Sequence, residues 1–289
     1  MNFFQALVLG VVQGLTEFLP VSSSAHLSIF GKLMGFDVSG DGAPGYTAFT
    51  AIIQIGTEVA VILYFFKDIV RILGAWFSTF VTAVKGGPKA QTRKKIGEDA
   101  ALGWLIILGT LPIVVFGVIL KKPIETIFRP LWLTAAMLIV FGVIIYLADR
   151  VGKMDYTLDD LKSKSSVLFG LAQCLALVPG VSRSGATISA GRLLGFNRET
   201  AAKYSFYLAI PSVLGAAIFE LKDAFGDAAS FGFPGWPATI VATVVSFIVG
   251  YIVIAAFMKA ISKISFKGFA IYRVILGIVM LVLIFTGAI

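Results

Sequence analysis

Two short stretches carry nearly all the side chains whose types and spacing suit chemistry. The first reads Gln13-Gly-Leu-Thr-Glu17-Phe-Leu-Pro20-Val-Ser22-Ser23-Ser24-Ala-His26. Gln13 and Glu17 are four apart, so they share one face of a helix. Pro20 ends that helix, and the serines open a second one, where Pro and Ser are both favoured. With a helix starting near Val21, Ser22 and Ser23 lie four and three residues before His26, on its face. A carboxylate, hydroxyls and an imidazole thus gather beside a helix N-terminus whose free N–H groups favour an anion. The second stretch reads Gln173-Cys-Leu-Ala-Leu177-Val-Pro179-Gly180-Val-Ser182-Arg183-Ser184-Gly185-Ala186-Thr187. Its glycines let backbone approach a ligand closely, and Ser182, Ser184 and Thr187 offer hydroxyls. Arg183 is the informative residue. An arginine at mid-bilayer costs about 2.5–3.5 kcal/mol even on a lenient insertion scale. A carboxylate or a phosphate must compensate it, and arginine suits bidentate phosphate recognition.

The membrane follows from composition. Of 289 residues, 58% are apolar and 14% charged, with a mean hydropathy of +0.93. Soluble domains are nearer half apolar and a quarter charged, so soluble and disordered classes are excluded. The net charge of +8 reads as the positive-inside bias of a membrane protein rather than as a nucleic-acid footprint. Cys174 alone cannot form an intrachain disulfide, and a single histidine leaves little room for a zinc site. The first residues have no positive n-region, so no cleaved signal peptide is expected.

Six apolar stretches are long enough to cross a bilayer as helices: Tyr46–Phe66, Ala101–Leu120, Leu131–Ala148, Tyr204–Leu221, Trp236–Met258 and Phe269–Ile289. Ile69–Val84 is shorter and carries Arg71, Ser78, Thr79 and Thr82, which suits an interfacial amphipathic helix. Phe3–Phe36 and Ser166–Phe196 are interrupted by Pro, Gly and clustered Ser. Irregular backbone at membrane depth survives only where protein or a water-filled cavity covers it. Both segments therefore read as re-entrant helix–loop–helix hairpins.

These two segments are copies. Shifted by 160 positions, Gly10, Gln13, Leu15, Val21, Ser22, Ser24, Gly31, Leu33, Gly35 and Phe36 match Gly170, Gln173, Leu175, Val181, Ser182, Ser184, Gly191, Leu193, Gly195 and Phe196. Glu17, Ser23 and His26 face Leu177, Arg183 and Ala186, so one copy holds reactive groups and the other a cationic clamp. If Ile69–Val84 does not cross, three spans separate the hairpins, which then enter from opposite faces as an inverted-topology repeat. One face collects sixteen Lys and Arg, among them the Lys85–Lys95 run; the other has Lys32, Lys121, Lys122, Arg129 and Lys222. The first is therefore cytoplasmic, with both termini and the first hairpin outside. The expected fold is an all-α polytopic membrane protein of six transmembrane helices plus two re-entrant hairpins. It forms a single integral membrane domain over 1–289, with repeats of about 1–100 and 160–289 joined by spans at 101–150.

Plainer roles compete. Glu17 and Arg183 suit a structural ion pair, and Ser and Gly are common packing residues between membrane helices. Gln54, Glu58 and Glu220 suit either a cavity wall or interhelical hydrogen bonds. Cys174 reads as a small core residue, and Lys85–Lys95 as a solvated loop.

At its two motifs the sequence resembles the bacterial undecaprenyl-diphosphatase family, the bacitracin-resistance membrane phosphatases. That family's first signature, Glu/Gln-x-x-x-Glu followed by Pro-Val-Ser-Ser-x-x-His, is matched by Gln13, Glu17, Pro20, Val21, Ser22, Ser23 and His26. Its second, Pro-Gly-x-Ser-Arg-Ser-Gly-x-Thr, is matched at Pro179, Gly180, Ser182, Arg183, Ser184, Gly185 and Thr187, and Ala270-Ile271-Tyr272-Arg273 agrees near the end. The resemblance implies hydrolysis of undecaprenyl diphosphate to the monophosphate carrier and inorganic phosphate, recycling the carrier for peptidoglycan synthesis. It also implies bacitracin resistance, dependence on a divalent cation (Mg²⁺ or Ca²⁺), and an inverted-repeat fold in the bacterial cytoplasmic membrane opening to the outer face. Many members have Glu where this chain has Gln13, so here the first signature lacks one carboxylate and two protein carboxylates cannot be required for the metal.

On this resemblance Glu17, Ser23, His26 and Arg183 are the expected catalytic residues. Ser23 is the first choice of nucleophile, with Glu17 or His26 taking its proton; His26 as direct nucleophile comes second. Gln13, Ser22, Ser24, Ser182, Ser184 and Thr187 are expected to bind substrate, and Glu17 to hold the cation with phosphate oxygens. The partners are a polyisoprenyl diphosphate and membrane lipid, with no nucleic acid; a homodimer stays open. A transporter or flippase for lipid phosphates is the alternative, alone or alongside hydrolysis, because inverted repeats with broken helices are common among transporters.

Overall fold

The computed structural model describes the backbone of all residues except 39–42, 86–89, 129, 226–232 and 234, and side chains except also those of 43–44, 80–85, 90–96, 125–126 and 217–225. Glu220, Lys222, Arg129 and the Lys85–Lys95 run, singled out above, fall outside the described side chains. The described residues form twelve α-helices: α1 (Phe3–Thr16), α2 (Ser23–Leu33), α3 (Ala43–Tyr64), α4 (Phe66–Lys85), α5 (Ala90–Ile119), α6 (Lys121–Thr126), α7 (Leu131–Val151), α8 (Ser163–Cys174), α9 (Arg183–Leu193), α10 (Arg198–Phe225), α11 (Trp236–Ala260) and α12 (Lys267–Phe285). Among the described residues there is no strand, only an isolated bridge between Tyr156 and Phe196.

Among the described residues five stretches are long and apolar enough to cross a bilayer: Gly45–Tyr64, Gly97–Ile119, Leu131–Val151, Trp236–Ala260 and Lys267–Phe285. Five of the six expected spans coincide with them, with ends displaced by a few residues where polar end residues continue the helix. The sixth, Tyr204–Leu221, lies in α10 and is not among the five; the side chains of that helix are described only to residue 216. The outer faces of these helices are apolar: Val118, Ile119, Ile252 and Phe285 are among many large exposed hydrophobics. So much contiguous apolar surface requires a lipid solvent. Helix α4 carries Phe66, Val70, Leu73 and Phe77 on an exposed stripe while Ile72 and Ala75 are buried. The spacing is that of one helix face, as expected for an amphipathic segment. Its Asp68 accepts from Lys203 Nζ at 2.8 Å and from Tyr207 Oη at 2.6 Å. Burial pushes that carboxyl up, but these hydrogen bonds and the charges of Lys203 and Arg71 outweigh it and hold the group below its ordinary range.

The two interrupted segments become paired short helices, α1–α2 and α8–α9. None exceeds 14 residues, about 21 Å of helix, against a hydrocarbon core of about 30 Å. Their packing partners are exchanged between the halves: α1 lies on α11 and α8 on α5, α3 on α11 and α10 on α5, while α3 meets α10 and α7 meets α12. The matched glycines set the first of these crossings. A Cβ on Gly10 would meet the Ala242 backbone of α11, and one on Gly170 the Gly109 carbonyl of α5. Small residues allow such close approach between membrane helices.

Buried Arg192 and partly buried Arg198 converge on Asp149. Arg192 of α9 donates to Asp149 Oδ1 at 3.2 Å and to the carbonyls of Gly152 and Phe196 at 2.7 and 2.6 Å. Asp149 also receives Arg198 at 2.7 Å and the Phe266 N–H at 3.1 Å, so α7, α9, α10 and the start of α12 converge on one carboxylate. The aligned Lys32 is only half-buried; the repeat did not preserve this lock.

Gly10→Val and Gly170→Val should each destabilise the detergent-solubilised protein by about 1–3 kcal/mol or more through overpacking. Gly117→Val, where a Cβ meets nothing within 4 Å, should leave the melting temperature unchanged. Thermal unfolding of the three variants checks the crossing.

Candidate active site

Each motif turns in the same way. Helix α1 gives way to a turn over residues 17–21, and Ser22 caps α2 with φ 74°; Ser182 caps α9 with φ 69°. They are the non-glycine residues of positive φ among those described. The conformation costs about 1 kcal/mol or more and persists only where surrounding structure enforces it. Each capping hydroxyl accepts from the N–H three residues on, Ala25 at 3.4 Å and Gly185 at 3.2 Å. Each also lies against the hydroxyl two residues on, Ser24 at 3.1 Å and Ser184 at 3.2 Å. The second helix begins at Ser23, two residues later than expected, because the serine hydroxyl supplies the cap.

The turns interlock. Ser24 Oγ accepts from the Gly180 N–H at 3.4 Å, and the aligned Ser184 donates to the Leu19 carbonyl at 3.2 Å. Arg273 of α12, fully buried, then joins both turns. Its guanidinium donates to the Pro20 carbonyl at 3.0 Å and to those of Gly180 and Val181 at 2.8 and 3.0 Å. In the sequence Arg273 stands out only within the tetrapeptide Ala270-Ile271-Tyr272-Arg273. The available signal was a lone arginine in an apolar helix, which needs interior acceptors.

Glu17 is the centre. Its Oε2 accepts from Ser23 Oγ at 2.7 Å and from Gln13 Nε2 at 2.9 Å. Its Oε1 accepts from Gln54 Nε2 at 3.0 Å and from Arg183 Nη2 at 2.9 Å. The side chains are 4% and 14% exposed for Glu17 and Arg183 respectively. Phe18, packed edge-on against Phe206 at 5.6 Å, opens the aromatic core immediately beyond the acid. The same Arg183 nitrogen lies 3.2 Å from Oε1 of Glu58, whose side chain is fully buried. Gln13 also reaches Thr57 Oγ1 at 3.3 Å. Of the two roles open to Glu58, the structure shows the interhelical hydrogen bond, from Arg183 of α9 to Glu58 of α3. The first signature still lacks one carboxylate at Gln13, and α3 brings a further acid, from outside both signature motifs, to the same arginine.

His26 is placed differently from the spacing argument. Its Nδ1 lies 2.7 Å from the Ser22 carbonyl and its Nε2 2.6 Å from the Tyr272 hydroxyl, with the two rings stacked at 5.6 Å. A carbonyl only accepts, so Nδ1 donates and Nε2 accepts from Tyr272. Both ring nitrogens are thus engaged away from Ser23, whose hydroxyl points at Glu17. Thr187 is buried, bonded to the Arg183 carbonyl at 2.8 Å and to Ser205 of α10. Ser23, Glu17, Gln13 and Arg183 therefore meet directly. Ser22, Ser24, Ser182 and Ser184 shape the two turns around them, and Thr187 braces α9.

A hard cation fits this donor set. Oxygen ligands predominate, and Mg²⁺ is commonly held by one or two carboxylates with substrate phosphates. Among the described residues no group of three or more His, Cys, Asp or Glu gathers. The buried Glu58 Oε2 and Arg183 Nη1 have no hydrogen-bond partner, leaving one acceptor and one donor unused at the centre.

Residues 6–279 match the family model described as bacitracin resistance protein BacA. The undecaprenyl-diphosphatase of Bifidobacterium adolescentis is 51% identical, covering 99% of this chain and 96% of the relative. That of Nocardioides sp. is 52% identical over 100% and 98%, and that of Renibacterium salmoninarum 50% identical over 100% and 98%. With a match of this extent, the chain belongs to the BacA family of bacitracin resistance proteins.

Proposed function

We propose that this multi-pass membrane protein is an undecaprenyl-diphosphatase. It hydrolyses undecaprenyl diphosphate to undecaprenyl phosphate and inorganic phosphate, recycling the lipid carrier for cell-wall synthesis and conferring bacitracin resistance. Half-identical relatives of that name along the whole chain support this. The observation that carries the chemistry is the 2.7 Å hydrogen bond from Ser23 Oγ to Glu17, with Arg183 on the other oxygen of the same carboxylate.

Phosphoryl transfer depends on in-line positioning and on neutralising the phosphoryl oxygens. Arg183 Nη1 and the N–H groups at the starts of α2 and α9 receive the diphosphate, and the isoprenoid tail lies between helices. Ser23 Oγ attacks the terminal phosphorus. The Oγ–P bond forms as the bridging P–O bond breaks, lipid monophosphate departs, and the Ser23 proton passes to Glu17. Water then attacks the phosphoserine, inorganic phosphate leaves, and the proton returns to Ser23. Mg²⁺ or Ca²⁺, when held by Glu17 with phosphate oxygens, supplies further charge neutralisation. His26, donating to the Ser22 carbonyl and accepting from Tyr272, is a positioning residue for the capped turn. As a direct nucleophile it would first have to break the hydrogen bond to Tyr272.

The α1–α2 and α8–α9 pairs are re-entrant hairpins in an inverted repeat of six spans, with α10 as the sixth and α4 along the interface. Their short helices, matched turns and exchanged packing support this arrangement. The protein lies in the bacterial cytoplasmic membrane with the site open to the outer face, as the distribution of Lys and Arg favours.

Ser23→Ala, Glu17→Gln and Arg183→Ala should each reduce phosphate release from an isoprenyl diphosphate by about 10²-fold or more while expression persists. The assay uses purified protein in detergent, where lipid transport cannot contribute. Full turnover by Ser23→Ala would remove it as nucleophile, and absence of release by the intact protein would favour the flippase alternative. Tags at both termini should be accessible from outside the cell; a cytoplasmic N-terminus would refute the orientation.

A further inference from the structure

We propose that Glu58 is a second cation-ligating carboxylate of this site, acting from α3 beside Glu17. The proposal rests on the phosphatase reading and extends it to a residue outside both signature motifs. Glu58 is fully buried, and its Oε1 meets the same Arg183 nitrogen that Glu17 holds, at 3.2 Å. Its second oxygen has no partner. A buried carboxylate oxygen without a donor is strongly disfavoured, so its retention at the centre of the polar cluster needs a ligand.

Charge points to the kind of ligand. One guanidinium nitrogen faces two carboxyl groups, and with both ionised their charge exceeds what the guanidinium balances. A diphosphate adds more. The surplus is of the sign and hardness that recruits a divalent cation with oxygen ligands, and Mg²⁺ in phosphate-transfer sites is typically held by one or two carboxylates together with phosphates. Glu58 Oε2 and Glu17 furnish such a pair, leaving Arg183 Nη1 free to turn to the phosphate.

Gln13 offers an internal control. Its amide nitrogen lies 2.9 Å from Glu17 Oε2 and 3.3 Å from Thr57 Oγ1, and Thr57 is the residue before Glu58. Glutamate has the same shape as glutamine, so Gln13→Glu places an acid at the same cluster from α1 instead of α3. Moving the charge across the site should therefore repair its loss at Glu58.

Mn²⁺ binding to the full-length protein in detergent, read from the free-ion electron paramagnetic resonance signal, tests this without turnover. Glu58→Gln should weaken Mn²⁺ binding by about tenfold or more, within the range seen when metal sites lose supporting groups. The Mg²⁺ concentration for half-maximal phosphate release should rise in parallel. Gln13→Glu/Glu58→Gln should return both towards the wild-type values. Wild-type Mn²⁺ affinity in a folded Glu58→Gln protein would overturn the proposal, as would no Mn²⁺ binding by the wild type. Should Glu58→Gln fail to fold, the double variant decides: folded and binding supports it, folded and not binding overturns it. Intact Mn²⁺ binding without phosphate release by the wild type would instead count against the phosphatase reading.

Discussion

A buried guanidinium is tolerated only where acids and dipoles meet it, and Arg183 meets two acids, Glu17 in the turn after α1 and Glu58 on α3. Its 2.9 Å contact with Glu17 joins residues 166 positions apart, one from each copy of the repeated motif. Breaking a buried pair of this kind by removing one partner typically costs about 3–5 kcal/mol, because the remaining charge is stranded. Much of the surrounding architecture serves to keep that contact in register. The carbonyls that Arg273 binds come from both turns, the aligned serines 24 and 184 cross-link them, and glycines 10 and 170 let the first helix of each hairpin approach its neighbour closely.

Divergence between the copies is what makes the site chemical. Both retain the serine cap in a strained conformation at the start of the second helix. At the next position one copy has Ser23 and the other Arg183. The duplicated turn thus carries a hydroxyl on one side and a positive charge on the other. The acid between them accepts from both, so the oxygen proposed to attack and the cation proposed to hold the phosphate are oriented by one carboxylate.

The sequence made the all-helical membrane character and the motif pairing legible because both are local signals: long apolar runs, and a repeat with its glycines and serines in place. Glu17, Ser23 and Arg183 stood out for the same reason, since charge and hydroxyls are conspicuous against an apolar background. The partner of Glu58 was not legible, because which face of α3 meets the two turns depends on the packing of distant helices. His26 misled in orientation: spacing places it on the serine face, but its Nδ1 finds the nearer Ser22 carbonyl and its ring stacks on Tyr272, 246 residues away. Arg273 was legible in principle as a buried charge, but its carbonyl partners lie in turns whose geometry no local pattern specifies.

Thermal stability of the purified protein in detergent, measured for Glu17→Gln, Arg183→Gln and the combination of both, probes the joining of the two motifs most directly. With Arg183 removed, Glu17 and Glu58 are left facing each other as unpaired acids, so Arg183→Gln should be strongly destabilising. Adding Glu17→Gln should then raise stability again, a coupling of about 0.5–3 kcal/mol between contacting residues. A double variant whose loss equals the sum of the two single losses would mean that the acid and the arginine do not meet.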